Sequence, residues 1–237
     1  MVFPVLFEIP VFGGLRIYTY GVLVALAFLI GIFWTTREAR PAGVAKEKIF
    51  DLSFYIVLGA LVGSRIFYIL THMSRYARTP LEIFKIWEGG LVFYGGFLGA
   101  VVAIFLLLRK YRLKFLPTAD LFSPGLALGH AVGRLGCFAA GCCHGREALG
   151  ISWSVTFPDL PYSLAPAGIP LYPTQIMESL AALAIFISLI LVRRRGPPTG
   201  RVFAVYLLGY GLLRFLLEPF RGGSARDFVG GSRVDSK

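Results

Sequence analysis

Charge is scarce in this sequence. Of its 237 residues only 16% are Asp, Glu, Lys or Arg, and the acidic ones are outnumbered 13 to 24. With 56% hydrophobic residues and a mean hydropathy of +0.71, the apolar content exceeds what a core could bury. That excludes an ordinary soluble domain and makes the chain an integral membrane protein. The period-two alternation of a membrane barrel is missing too. Backbone polar groups in lipid must be satisfied within each segment, so the spans are predicted as helices. The first apolar run has no basic leading segment and no small-residue cleavage site, and Tyr20-Gly21 opens it, which predicts a retained helix and not a removed signal peptide. No soluble repeat period and no separate soluble domain are present. Cysteine is limited to three residues.

What is present is a set of apolar windows of about 20 residues, the length that crosses a bilayer core. They fall near Ile17–Trp34, Ile49–Leu70, Gly89–Leu108, Phe115–Phe138, Thr174–Val192 and Val202–Phe220. The expected fold is all-α, a polytopic transmembrane helical bundle of about six spans forming a single integral membrane domain over residues 1–237. The net charge of +11 comes from basic residues clustered in short loops, a matter of membrane topology and not of nucleic-acid binding. Arg37, Arg40, Lys46 and Lys48 lie in the first loop, Arg109, Lys110, Arg112 and Lys114 in the third, and Arg193, Arg194, Arg195 and Arg201 in the fifth. These loops are predicted to be cytoplasmic. Loops two and four are poorer in basic residues (Arg75, Arg78 and Lys85; then Arg146) and face outward with the N-terminus. Residues 145–173, rich in Pro and aromatics, are expected to form a small external cap near the headgroups, and 222–237 a polar tail.

Glycines recur every four residues at Gly125, Gly129 and Gly133, at Gly59 and Gly63, and at Gly95 and Gly99. Such faces let helix backbones approach closely, and packing is the expected role.

Arginine at membrane depth costs roughly 2.5 to 3.5 kcal/mol on insertion scales, so it usually faces a site or a partner. In the fourth span His130, Arg134 and Cys137 are spaced by four and three and share a helix face, with Gly133 and Gly141 nearby. In the sixth, Tyr210, Arg214, Glu218 and Arg221 form a second stripe. Asp51, Arg65, Asp120 and Glu178 add further ionisable groups. Two readings stand. In one, internal pairs such as Arg214 with Glu218 pin helix register. In the other, which leads, arginines that outnumber the acids on their own faces hold an anion. In a bilayer that anion is a lipid phosphate, which a guanidinium fork matches bidentately.

Cys137, Cys142, Cys143 and His144 have ligand chemistry but not ligand spacing, because structural zinc sites favour thiol pairs separated by about two to four residues with a second pair elsewhere. The cysteines are read as small packing residues at a helix end, and no metal and no cofactor is expected.

In its combination of motifs the chain resembles the prolipoprotein diacylglyceryl transferase family. The motifs are Tyr20-Gly21; Gly63-Ser64-Arg65 with Tyr68; Glu88-Gly89-Gly90 leading to Tyr94-Gly95-Gly96; Gly133-Arg134-Leu135-Gly136 through Gly145; Pro173-Thr174-Gln175 with Glu178; and Gly209-Tyr210-Gly211 with Arg214 and Glu218. The resemblance implies a multi-pass protein of the bacterial cell inner membrane, its N-terminus extracytoplasmic. Its partners would be phosphatidylglycerol, the lipobox peptide of a prolipoprotein and the lipid bilayer. The precursor's cysteine thiol would attack the glyceryl carbon next to the phosphate, giving a thioether and glycerol phosphate. The catalytic assignments it implies are Arg134, Arg214 and Tyr94; those for substrate binding are Tyr20, Arg65, Gly95, Gly133, Cys137, Gly145, Gln175, Glu178, Tyr210 and Glu218.

The departures are specific. Tyr94 stands where the best-studied members carry a histidine, the usual candidate base, and Cys137 and Cys142 stand where they carry asparagine and glutamate. Those members continue into another membrane helix after the Arg214 segment, where this sequence runs into Gly222-Gly223-Ser224 and its polar tail. A non-catalytic lipid-binding or transport protein with the same cavity is the alternative, and a thiol redox or metal protein a further one.

Overall fold

The computed structural model describes residues 4–9, 15–76, 82–83, 90 and 92–222. Glu88 and Gly89 of one motif, the loop residues Arg78 and Lys85, and tail residues 223–237 lie outside them. Strands β1 (Val5–Ile9) and β2 (Leu15–Tyr18) precede helices α1 (Thr19–Ala39), α2 (Lys46–Thr71), α3 (Met73–Tyr76), α4 (Phe93–Tyr111) and α5 (Phe115–Ala140). Two short strands follow, β3 (Val155–Thr156) and β4 (Pro170–Leu171), then α6 (Thr174–Arg194), α7 (Arg201–Leu217) and a 3-10 turn over Glu218–Phe220.

Five helical segments are long and apolar enough to cross a membrane: α1, α2, α4, α6, and α7 with its 3-10 turn. At about 1.5 Å per residue each rises by roughly the thickness of the hydrocarbon core. Large apolar side chains stand exposed along them, among them Phe33 on α1, Phe97 on α4 and Phe215 on α7, as lipid-facing surfaces require. The sixth expected span is α5. Its 26 residues are ample in length, but Asp120, His130, Arg134 and many small residues dilute its hydropathy.

The chain divides into two compact units, Met1–Trp34 with Ala119–Lys237, and Thr35–Thr118. The second is built on α2 and α4, whose glycines face each other. A Cβ placed on Gly59 would lie 2.7 Å from the Gly99 carbonyl oxygen and 2.8 Å from Ala103 Cβ, so only glycine permits this approach. Gly63 and Gly95 meet as tightly, which is the packing role their spacing predicts. In the same unit Tyr111 donates a hydrogen bond to Asp51.

In the first unit β1 and β2 pair antiparallel, Arg16 bridges to Glu8 at 2.8 Å, and its guanidinium lies 4.7 Å from the centre of the Tyr162 ring. The hydrogen bond to Glu8 raises the Arg16 pKa above its ordinary value. Helix α1 packs on α5 where a Cβ on Gly31 would lie 3.0 Å from Gly125 O, and one on Gly129 2.9 Å from Ala27 O. Pro124 inside α5 has no N–H to offer the carbonyl four residues back, that of Asp120. Arg193 Nη1 donates to that oxygen instead, at 3.3 Å. The Asp120 carboxylate accepts from the backbone N–H groups of Gly200 (2.5 Å) and Phe203 (2.7 Å), so a side chain of α5 caps the start of α7.

Residues 145–173 contain turns and the β3–β4 pair but no helix, as their composition predicts. Phe157 is fully buried with Leu171 beneath Phe138, and the Trp153, Tyr172 and Phe220 rings pack in succession at 5.3 Å. The segment's ends are tied by Gly145 N–H to Tyr172 O (2.9 Å) and Arg146 N–H to Phe220 O (3.0 Å).

Candidate active site

Three helices of the first unit converge on one carboxylate. Glu178, in the second turn of α6, is nearly enclosed, with 4% of its side chain exposed. Its Oε1 lies 2.8 Å from Arg134 Nη2 on α5, 3.5 Å from Arg214 Nη1 on α7 and 3.2 Å from His130 Nε2 on α5. The helical spacing of His130 and Arg134 puts both on the face turned to α6. Ser179, next to Glu178, donates to Ala131 O at 2.7 Å and fixes the register of α6 on α5. Two guanidinium ions and one carboxylate leave one positive charge in surplus. A carboxylate buried with this pairing is an anchor whose loss would strand both cations.

His130 Nε2 is also 3.3 Å from Arg134 Nε. One ring nitrogen cannot donate and accept together: protonated it donates to Glu178, deprotonated it accepts from Arg134. The His130 ring packs edge-on against Tyr210, centroids 5.2 Å apart, and Tyr210 stacks on Tyr206 one turn earlier.

The second stripe is shorter than its spacing predicts. Helix α7 ends at Leu217: Pro219 has no N–H to extend the helical ladder, the Glu218 N–H turns to Phe215 O, and a 3-10 turn follows over Glu218–Phe220. Arg214 reaches across to Glu178 on α6, its Nη1 donating to Oε1.

At its C-terminal end α5 closes in a Schellman motif. The Gly141 N–H bonds to Phe138 O and the Cys142 N–H to Cys137 O, both at 3.1 Å, with Gly141 at φ 72°. The turn returns Cys142 and Cys143 toward Cys137, whose Sγ is 4.0 Å from Arg134 Nη1. Hydrogen bonds from Cys137 and Cys142, with Arg134 nearby, favour the Cys143 thiolate, and bonding to Cys137 pushes the Cys142 thiol up. Fully buried Gln175 donates to Cys142 O and Thr174 to Cys143 O, each at 2.9 Å.

Of the other predicted residues in this unit, Tyr20 opens α1 and lies over Gly136, where a Cβ would come within 3.5 Å of its ring. Gly133 faces Ala27, and Gly145 is wedged between Tyr172 and Phe220, where a Cβ would come within 2.5 Å of each. Arg65, Tyr94 and Gly95 belong to the second unit. Arg65 is buried and donates to the backbone carbonyls of Ile83 (3.0 Å), Glu82 (2.8 Å) and Gly90 (3.3 Å). Tyr94, in the first turn of α4, is 72% exposed beside Phe93, and Gly95 packs on Gly63 and Phe67. Ser179 was not singled out from sequence, and Thr174 only as a member of the Pro173-Thr174-Gln175 motif; the signal of each was a hydroxyl near the start of an apolar helix.

The sequence profile described as prolipoprotein diacylglyceryl transferase matches residues 4–234. The chain belongs to this family. It is 35% identical over 208 residues to phosphatidylglycerol–prolipoprotein diacylglyceryl transferase 2 of Clostridium perfringens, covering 88% of this chain and 80% of that one. To the phosphatidylglycerol–prolipoprotein diacylglyceryl transferases of Clostridium tetani and Geobacter sulfurreducens it is 33% and 35% identical, covering 92% and 94% of this chain and 85% and 84% of theirs. Within this member of the diacylglyceryl transferase family, three of its motifs build one region: Gly133 through Gly145 supplies Arg134 and the capped turn, Pro173-Thr174-Gln175 holds that turn, and the Tyr210 segment brings Arg214.

Proposed function

We propose that this chain transfers a diacylglyceryl group from phosphatidylglycerol to the lipobox cysteine of an exported prolipoprotein. The observation that carries the reading is the pair of arginines from different helices sharing one oxygen of a buried carboxylate. The precursor's thiolate sulfur attacks the glyceryl carbon bonded to the phosphate oxygen. A carbon–sulfur bond forms, the carbon–oxygen bond breaks, and glycerol phosphate leaves with the electron pair. Arg134 and Arg214 bind the departing phosphate, Glu178 holds them in position, and fixed donors in an apolar site stabilise that charge better than water would. Tyr20, Tyr210 and Glu218 orient the lipid or the arginines. Cys137 and the backbone near Gly133 and Gly145 line the headgroup region with Gln175, while Arg65 and Gly95 shape the Tyr94 segment.

The thiol proton needs an acceptor. A phenol, with an ordinary pKa of about 10, is a weak base at neutral pH, which disfavours Tyr94 as that base and leaves it a substrate contact. His130 Nε2 stands between Arg134 and Glu178, and on taking a proton it has Glu178 ready as partner. The basic connections α1–α2, α4–α5 and α6–α7 support a bacterial inner-membrane protein with those connections cytoplasmic, the N-terminus outside, and residues 145–173 as an external cap.

The test is a lipobox peptide added to the protein in liposomes containing phosphatidylglycerol, with mass spectrometry of the peptide. A diacylglyceryl adduct with stoichiometric glycerol phosphate is expected. Lipid bound without either product would turn the reading to a carrier.

A further inference from the structure

The diacylglyceryl transfer makes no demand on Cys142 or Cys143, yet the fold positions them with care. Along the sequence Cys137, Cys142 and Cys143 are spaced by five and one, which is not the paired spacing of a structural zinc site. The Schellman turn after α5 alters that: all three sulfur atoms lie within 4.8 Å of one another. A metal bound about 2.3 Å from each of three thiolates needs sulfur–sulfur edges of about 3.8–4.0 Å, which this bound accommodates.

Two further observations mark the arrangement as built. Cys143 has a left-handed backbone, φ 57°, a conformation that is strained for a residue with a Cβ and persists where its surroundings hold it. The surroundings here are Thr174 and Gln175, 2% and 0% exposed, whose side chains grip the Cys143 and Cys142 carbonyls. All three cysteines are unbridged, and Cys143 is exposed.

We propose that Cys137, Cys142 and Cys143 form a three-thiolate site for one thiophilic cation, Zn(II) or Cu(I) in class. Soft thiolate sets select such ions, and binding releases the thiol protons. With a divalent ion the centre carries one net negative charge beside Arg134, whose Nη1 is 4.0 Å from Cys137 Sγ. Metal loading therefore draws on the guanidinium that Glu178 anchors and lowers its availability to a phosphate.

The experiment titrates the full-length protein, reduced and held anaerobically in detergent, with Cd(II), a spectroscopically visible thiophilic ion. Sulfur-to-metal absorption and the number of thiols reactive toward a maleimide are followed. One equivalent is expected to bring up the absorption and protect all three thiols; the chain has no other cysteine, so neither signal can arise elsewhere. Cys142→Ser and Cys143→Ser should each weaken binding by more than the roughly 10–100-fold that losing a supporting hydrogen bond costs a metal site. Any thiol left reactive at saturation in the wild type, or wild-type affinity in either variant, overturns the proposal. The wild-type thiol count decides even where a variant fails to fold, and none of these readouts depends on lipid transfer.

Discussion

In the second unit Arg65 commits its guanidinium to the carbonyls of Glu82, Ile83 and Gly90, with the Tyr68 and Tyr76 rings 5.7 and 5.6 Å from its charge. In the first unit Arg134 and Arg214 share one oxygen of Glu178. Each of the three sits on a membrane-length helix, and in sequence they look alike. Carbonyl dipoles satisfy a cation's hydrogen bonds and fix a loop. A single carboxylate divided between two cations leaves charge for a third party. An arginine at membrane depth is thus informative only once its partners are known.

The comparison can be broken most severely at the carboxylate. Glu178→Ala leaves two half-buried guanidinium ions without their shared carboxylate, and thermal unfolding in detergent is expected to register a loss of about 3 kcal/mol. Arg134→Ala and Arg214→Ala should each cut the transfer rate by at least about 10²–10³-fold in the liposome assay while the protein still inserts. Turnover at the wild-type rate in either variant would remove the phosphate clamp. Arg65→Lys sharpens the contrast, since an ammonium cannot reproduce a planar fork on three carbonyls. Its expected effect is a loss of about 1.5–3 kcal/mol in the same melting experiment. Asp120→Ala, which uncaps α7, should cost about 0.5–2 kcal/mol, and amide exchange at Gly200 and Phe203 would report it.

How much of this was legible in the sequence depends on the range of the interaction. The helices were, because an apolar run must be helical in lipid, and so was the packing role of the glycines, because small faces let backbones approach; which helix meets which was not. The stripe of His130 and Arg134 follows from helical periodicity alone. Partnership between helices does not: nothing in the linear spacing links Arg214 to Glu178, and only the packing of α7 beside α6 brings them together. The β1–β2 hairpin was missed, although Val5 to Tyr18 holds two short β-prone runs around Gly13-Gly14, because the strong apolar signal from Ile17 onward masked it. The convergence of the cysteines was hidden because the Schellman turn brings together side chains whose linear spacing suggests nothing.

The shared carboxylate also sets an order of events during synthesis. Helix α5 emerges first, carrying Arg134 with no acid of α6 yet made. Helix α6 then brings Glu178, and the charge of the growing cluster falls from +1 to zero. Only when α7 follows, bringing Arg214, does it return to +1. A ribosome that stalls before α7 would leave a neutral, well-paired intermediate in the membrane, whereas one that stalls before α6 leaves a bare cation there. The chain is most exposed to misinsertion in the interval between Arg134 and Glu178, the stretch of translation that makes residues 145–173.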